Sequence, residues 1–228
     1  HDALPIFRRG VNRNIQYALG VFEALNVYGL NYVIDPTSAY ADFADNSSAV
    51  DFLAYPYQTL MYRAGDCDDL SILYCSLLEA IGIETAFVLI PGHIYPAFYS
   101  GMTEKEAKES FHSPDLLIYH EGKAWVPVEI TIVKEGFSKA WRLGAKQWND
   151  SAARGTAELL PMAESWKVYK PVIIPGAASR FNLPEETRIA QAFDSSLNGY
   201  VEGVLRPQIR THRDIIARSD TPENRNRL

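Results

Sequence analysis

The sequence predicts an α+β fold in which one central helix packs on an antiparallel sheet. An apolar stripe at helical spacing predicts the helix over residues 70–81. Apolar runs typical of strands follow at 85–90, 94–99 and 124–130. Because these runs succeed one another instead of alternating with helical patterns, antiparallel pairing is favoured over a parallel sheet.

The composition is that of an ordinary globular protein. The 228 residues are 47% hydrophobic and 22% charged, which suffices for one substantial core. A net charge of −6 gives no general affinity for phosphates, so we expect no nucleic-acid partner. No apolar run reaches the ~18 residues of a membrane span, so we expect no transmembrane segment. The chain begins with His1 rather than Met, and we expect a processed form or a piece of a longer chain with further domains.

The N-terminal part combines a helix with a polar loop. Apolar residues at helical spacing predict a helix over 12–29, ended by a glycine. Residues 31–35 should be extended, and the small polar residues 37–48 should form a surface loop. A short helix is predicted over 51–55, with Pro56 ending it.

The central helix has the clearest pattern in the chain. A short apolar piece, 58–62, leads into Gly65, and the helix follows. Gly82 stands where a helix C-cap is expected. The apolar stripe consists of Leu70, Leu73, Tyr74, Leu77, Leu78 and Ile81.

Short strands and further helices are predicted for the second half. The polar residues 101–114 indicate an inserted loop or helical turn. The runs 116–119 and 124–130 predict a hairpin. Helical spacing predicts a helix over 137–148, and the apolar run 166–174 predicts another strand.

The composition changes after Gly176, and this change guides the division of the chain. Pro184 followed by two glutamates predicts the start of a long helix. We therefore divide the chain into 1–48, an N-terminal helix and loop of the same domain; 49–175, the core; and 176–228, a C-terminal helical extension.

The two cysteines, Cys67 and Cys75, are not expected to form a disulfide. On one helix they would lie about 12 Å apart along the axis, whereas a disulfide requires Cα atoms within about 7 Å. Cys75 falls on the core side of the helix, where packing is its predicted role. Cys67 instead stands at the start of the helix, directly after Gly65-Asp66.

Cys67, His93 and Glu129 offer the groups that thiol-based catalysis requires. The free N–H groups of a helix N-terminus stabilise a thiolate and can hold an oxyanion. A histidine on a facing strand could take the thiol proton and return it to a leaving group. A buried carboxylate behind the histidine would fix its tautomer. The alternating pattern around Glu129 leaves its face open, so a surface acid is the alternative.

Three aspartates crowd the cysteine. Asp66, Asp68 and Asp69 are anionic, and negative charge disfavours a thiolate. Asp66 could accept hydrogen bonds from the first turn as a helix cap, which general propensity favours. Alternatively, Asp66 and Asp68 could hold a hard cation such as calcium.

Three segments resemble the functional segments of the transglutaminase-like superfamily, in the order of that family. They are Gly65-Asp66-Cys67-Asp68-Asp69-Leu70, Pro91-Gly92-His93-Ile94 and Trp125-Val126-Pro127-Val128-Glu129-Ile130-Thr131. The third segment usually ends in Asp-Pro-Thr, so Glu129 is one methylene longer than the usual acid. The flanks also resemble those of the bacterial transglutaminase-like cysteine proteinases, in which a Gly-Asp-Cys-Glu-Asp type segment is linked to calcium.

The resemblance covers residues 50–150 and implies a papain-like core. It implies that Cys67 is the nucleophile, His93 the general base and acid, and Glu129 the orienting acid. Papain-like enzymes use an upstream glutamine amide in the oxyanion hole, which makes Gln58 a candidate, although a turn or surface role is favoured for it. No cofactor is required, and calcium at the aspartates is the one that the flanks suggest.

The leading functional hypothesis is a hydrolase, a cysteine peptidase that acts on a protein or peptide through an acyl-thioester. Hydrolysis is favoured over crosslinking because nothing marks a lysine-accepting site. The alternatives are a protein-glutamine acyltransferase and a catalytically idle transglutaminase-like binding module. The compartment stays open, with the cell envelope or a secreted location favoured over the cytoplasm.

Overall fold

The computed structural model describes residues 10–34, 53–111, 113–172, 181–206 and 209–210. Within them, helices pack on a five-stranded sheet whose neighbouring strands are all antiparallel, so the predicted α+β class is confirmed. The helices are α1 (Arg13–Tyr28), α2 (Pro56–Tyr62), α3 (Cys67–Ala80), α4 (Glu104–Ser110), α5 (Phe137–Ala152), α6 (Met162–Val168) and α7 (Glu186–Tyr200). The strands are β1 (Asn31–Tyr32), β2 (Ala64–Gly65), β3 (Thr85–Ile90), β4 (His93–Thr103), β5 (Ile118–His120), β6 (Lys123–Pro127) and β7 (Glu158–Pro161).

The sheet places β4 at its centre. Its strand order is β5-β6-β4-β3-β7, and β1 and β2 form a separate parallel pair. Strands β3 and β4 are joined by a tight turn that sets Ile90 opposite His93. Gly92 in that turn has φ of 72°, a conformation that favours glycine. Side-chain alternation along β4 then puts His93 on the same face as Tyr95.

The main core lies between the sheet and helices α1, α3, α5 and α7. Phe22 of α1 meets Tyr74 and Phe137 edge-on, at ring-centroid distances of 6.3 and 5.6 Å. Tyr200 of α7 stacks on Trp141 of α5 at 5.7 Å, so α7 belongs to the same core. Each of these buried aromatic side chains contributes ~2–3 kcal/mol of hydrophobic stabilisation. The other face of the sheet carries a smaller cluster that includes Ala86, Val88, Tyr95, Ala97, Ile118, Trp125 and Leu159.

Several predicted elements are confirmed with small changes of their bounds. Helix α1 begins after Asn12, whose side chain accepts from the N–H of Ile15, and ends at Gly29, with φ of 90°. The central helix begins at Cys67 and ends before Gly82, with φ of 80°. The polar insertion forms α4, and the predicted hairpin is β5–β6.

Two predicted elements are wrong. Leu53–Tyr55 are not helical, and α2 instead begins at Pro56, because proline suits the first position of a helix. The strand predicted over 166–174 is not formed in its described part, 166–172: α6 occupies its start, and β7 precedes it. Val168 and Tyr169 are 73% and 76% exposed, so this apolar run has no core to pack against.

Some predictions fall outside the described residues, namely the surface loop 37–48 and the later part of the C-terminal extension, 211–228. In the described part of the chain, no helix combines the length and the apolar character needed to cross a membrane.

Candidate active site

Gly65 occupies a crowded position directly before the turn that carries Cys67. A Cβ atom on Gly65 would lie 2.6 Å from Cβ of Asp69 and 3.2 Å from Cγ2 of Thr59, so only glycine fits. This close approach lets β2 run directly into the first turn of α3. Cys67 is half-buried, and none of the described residues accepts a hydrogen bond from its backbone N–H. That N–H is therefore available to a ligand, as expected of the first turn of a helix.

His93 stands on a fixed support at the start of β4. Its side chain is 21% exposed. Its ring stacks on Tyr95 at a centroid distance of 5.6 Å and an interplanar angle of 30°. The Tyr95 hydroxyl donates to the backbone carbonyl of Gly144 at 2.9 Å, which ties the support to α5.

The sheet register carries Glu129 to His93. Ala97 lies opposite Pro127, and the N–H of Val128 donates to the carbonyl of Pro96 at 2.8 Å, which continues the pairing beyond β6. Glu129 consequently falls on the diagonal from His93, within reach of long side chains. Nε2–H of His93 donates to Oε2 of Glu129 at 2.6 Å.

Glu129 is buried and held by partners on every side, so the surface-acid alternative is wrong. Its exposure is 1%. Its second oxygen, Oε1, accepts from the hydroxyl of Thr131 at 2.6 Å and from the Thr131 N–H at 3.2 Å. Its own N–H donates to the carbonyl of Ala140 in α5 at 3.0 Å. Helix α5 can approach this closely because residue 144 is a glycine. A Cβ atom at that position would lie 3.2 Å from the Glu129 nitrogen.

His93 and Glu129 form an ion pair. Burial alone would lower the pKa of His93, but hydrogen bonds to Cys67 and Glu129, with the negative charge of both, raise it to about 9. Burial alone would raise the pKa of Glu129, but the hydrogen bond and charge of His93, together with the Thr131 donors, hold it below its ordinary value. The imidazolium–carboxylate form is thus favoured at neutral pH.

The imidazole connects the acid to the cysteine. Nε2 of His93 is taken by Glu129, so Nδ1 is the nitrogen left for the hydrogen bond with Cys67. The structure therefore brings together the three residues that the sequence selected. A thiol, a base and an orienting acid in this order can generate and use a thiolate nucleophile.

The three aspartates lie behind the nucleophile and are partly explained by capping. Oδ1 of Asp66 accepts from the N–H of Asp69 at 3.3 Å, as the predicted cap. Oδ1 of Asp69 accepts from the N–H of Ala54 at 2.7 Å. Burial, and then the hydrogen bond and charge of Asp66, raise the pKa of Asp68 to about 8. Asp68 accordingly carries a proton near neutral pH, which reduces the negative charge beside Cys67.

The same cluster could hold a cation. One oxygen from each of Asp66, Asp68 and Asp69 lies within 4.8 Å of the others. Calcium takes about 6–8 oxygen ligands, so these acids would supply three and water the rest. The donor set fits calcium in its chemistry, and calcium binding stays a prediction.

Cys75 and Gln58 have structural roles. Cys75 is 2% exposed and packs near the backbone of Ala86, and burial raises its pKa to about 12. Both cysteines are free thiols, as predicted. Oε1 of Gln58 accepts from the N–H of Tyr55 at 2.8 Å and so caps α2. No hydrogen bond among the described residues joins Gln58 to Cys67 or His93.

Sequence reasoning missed Tyr32. This residue pairs with Gly65 in the β1–β2 ribbon and lies close enough to Cys67, Asp66 and Glu129 for their charges to act on it. The sequence predicted an extended segment here, but a parallel pair of two residues on each side leaves no pattern that would reveal its partner.

Comparisons with protein-family models, with curated proteins and with solved structures found no match for this chain.

Proposed function

We propose that the protein is a thiol-dependent enzyme that acts on amide bonds through an acyl-thioester on Cys67. The observation that carries the proposal is the buried carboxylate of Glu129, 2.6 Å from Nε2 of a histidine whose other nitrogen serves Cys67. Burying a carboxylate is costly unless it is paired and hydrogen-bonded. Here Thr131 donates to one oxygen of the Glu129 carboxylate, and the other oxygen accepts from His93.

Acylation follows from the arrangement of the three groups. In the thiolate–imidazolium pair the proton of Cys67 already lies on Nδ1 of His93, and the thiolate sulfur forms a bond to the substrate carbonyl carbon while the carbonyl π electrons move to oxygen. The backbone N–H of Cys67 donates to that oxygen. When the C=O bond re-forms, the C–N bond breaks, and the amine leaves with the proton from Nδ1.

Deacylation uses the same groups in reverse. His93 takes a proton from water, the hydroxide oxygen adds to the thioester carbon, and the C–S bond breaks to regenerate the thiolate–imidazolium pair. An amine in place of water would give acyl transfer. We favour hydrolysis, with a protein or peptide as the substrate.

We also propose that the chain is a transglutaminase-like protein with a papain-like core. Support comes from the packing of α3 against an antiparallel sheet and from the order of cysteine, histidine and acid along the chain. The glutamate in place of the usual aspartate is accounted for by the diagonal register, since cross-strand diagonals span ~7–8 Å. The extra methylene helps Glu129 to bridge that distance.

Thiol alkylation tests the nucleophile. The chain holds two cysteines, and the buried Cys75 serves as an internal reference for the half-buried Cys67. We expect iodoacetamide to label Cys67 at pH 7 faster than an unfolded-chain thiol, and His93→Ala to remove the excess rate. Labelling no faster than in the unfolded chain, together with no effect of His93→Ala, would contradict the proposal.

Acylation separates the enzyme from an idle fold. We expect p-nitrophenyl acetate to give a burst of nitrophenolate that Cys67→Ala abolishes, followed by turnover in water. Turnover that appears only after addition of a primary amine would identify an acyltransferase. A reactive thiol without a burst would identify the catalytically idle binding module.

A further inference from the structure

Tyr32 lies between the two segments that carry the nucleophile and the acid. On one side, β1 pairs with β2: the N–H of Asn31 donates to the carbonyl of Arg63 at 2.9 Å, and the N–H of Val33 donates to the carbonyl of Gly65 at 3.0 Å. Strand β2 ends two residues before Cys67. The register sets the Cα of Tyr32 opposite that of Gly65. The backbone of Tyr32 is thus fixed relative to the first turn of α3.

The second side is the turn that follows Glu129. The 3-10 segment Ile130–Glu135 passes beside β1, and Nζ of Lys134 donates to Oδ1 of Asn31. The backbone around Tyr32 is therefore held on one side by β2 and on the other by the 3-10 segment, although the residue is 41% exposed. An exposed ring on a fixed backbone beside a nucleophile is accessible to a bound substrate.

The chemistry of the hydroxyl suits a donor. Partial burial, and then the negative charges of Cys67, Asp66 and Glu129, raise the pKa of Tyr32 above its ordinary value. The phenol accordingly stays protonated over the working range of the site. None of the described residues hydrogen-bonds the Tyr32 hydroxyl, so its proton is available to a ligand.

An acyl-transfer site needs two donors for the oxygen of a tetrahedral intermediate. The backbone N–H of Cys67 is one. Gln58, the side chain that the sequence put forward as the second, directs its amide oxygen to the cap of α2, and no hydrogen bond among the described residues joins it to Cys67 or His93. Tyr32 offers another donor, and its pairing with Gly65 places it next to the segment that leads into Cys67.

We propose that Tyr32 is a catalytic residue whose hydroxyl donates to the carbonyl oxygen of the substrate as Cys67 attacks. This inference rests on the proposed function. As the C–S bond forms, the π electrons of the carbonyl become a lone pair on oxygen, and the Tyr32 O–H and the Cys67 N–H share the developing charge. The tyrosine keeps its proton throughout, and the donated bond weakens again when the C=O bond re-forms.

The test compares two reactions of the same thiol in the full chain. Acylation by p-nitrophenyl acetate passes through an oxyanion, whereas alkylation by iodoacetamide does not. We expect Tyr32→Phe to slow the acylation burst about 100-fold, near the loss seen when one oxyanion donor is removed, and to leave the alkylation rate within about twofold of the parent. Tyr169→Phe, which removes a hydroxyl from a tyrosine that is 76% exposed, is the matched control and should change neither rate.

Each other outcome overturns the inference in a distinct way. A burst within about twofold of the parent would exclude the hydroxyl from the acylation step. A parallel loss of both rates would mean that Tyr32 acts on the thiol and not on the oxyanion. If the parent shows no burst at all, the proposed function fails, and the role of Tyr32 fails with it. The alkylation rate also reports whether the variant retains its fold, since unfolding would move it to the value of an ordinary thiol.

Discussion

Replacing Glu129 with Gln removes one charge and tests whether Glu129 orients His93. The rise of the His93 pKa from 6.5 to about 9 corresponds to ~3 kcal/mol in favour of the imidazolium. Because the ring is partly exposed, about 2 kcal/mol is the more realistic value. Cys67 contributes to this rise as well as Glu129, so loss of the Glu129 charge would slow acylation by at most roughly 30-fold if charge were the whole effect.

The hydrogen bonds around residue 129 predict a larger loss. Oε1 of Glu129 accepts from two Thr131 donors, and in Glu129→Gln the amide oxygen must take that position. The amide NH₂ would then face His93 and donate to Nε2, which moves the imidazole proton to Nδ1. A proton on Nδ1 prevents His93 from accepting the thiol proton of Cys67. A wrong histidine tautomer costs about 10⁴ in rate in a catalytic triad, and we expect a loss of that order.

The assay is the p-nitrophenyl acetate burst at pH 7, with Glu164→Gln as the matched control. Glu164 pairs with Lys167 on an exposed helix, so its replacement should leave the burst unchanged. A loss near 30-fold would mean that charge alone matters and that the amide adopts the opposite orientation. A loss of less than about tenfold would refute the reasoning that Glu129 orients His93.

Four further predictions concern stability and calcium binding. The raised His93 pKa adds stability that is present below pH ~6.5 and is lost as the pH rises through about 9; urea unfolding should show a decline of about 2 kcal/mol over that interval, and a flat profile would contradict the ion pair. The pKa of Asp68 is raised from 3.8 to about 8, so its ionisation destabilises the fold. We therefore expect the melting temperature of Asp68→Asn to equal that of the parent below pH ~4 and to exceed it at pH 9. Calorimetry of the parent with calcium tests the same acids, and the absence of binding heat would remove calcium from consideration. Gly65→Ala should lower stability by ~1–3 kcal/mol and slow alkylation, because its Cβ meets Asp69 at 2.6 Å, whereas Gly199→Ala, with open space around it, should not.

The elements that the sequence specified well are those with a complete local pattern. The stripe of the central helix and the continuous run of β3, Thr85–Ile90, need no partner to be recognised, and both are formed as predicted. Cys67 stands at the start of the central helix, and His93 follows β3 across the turn at Pro91-Gly92. Their positions could therefore be predicted from periodicity together with the adjoining glycines.

The remaining features depend on tertiary contacts. Two tertiary contacts decide which face of the sheet Glu129 occupies: the strand pairing that continues past Pro127, and the contact of its backbone with α5. Neither contact leaves a pattern in the local sequence. Strand β7 has only four residues, and its pairing with β3 defines it as a strand. Tyr32 is missed for the same reason. The apolar run after Trp166 misled because alternation predicts a strand only where a core is present to receive one face.

The contact of Glu129 with α5 has a consequence for the order in which the site forms during synthesis. The cysteine emerges first, the histidine next and the acid after it, and the acid is locked only when the Ala140 carbonyl of α5 accepts its N–H. The chain emerges from the ribosome N-terminus first, so the site is incomplete until the last of these segments docks. For the proposed enzyme, this order would leave Cys67 without its oriented base until α5 has been synthesised.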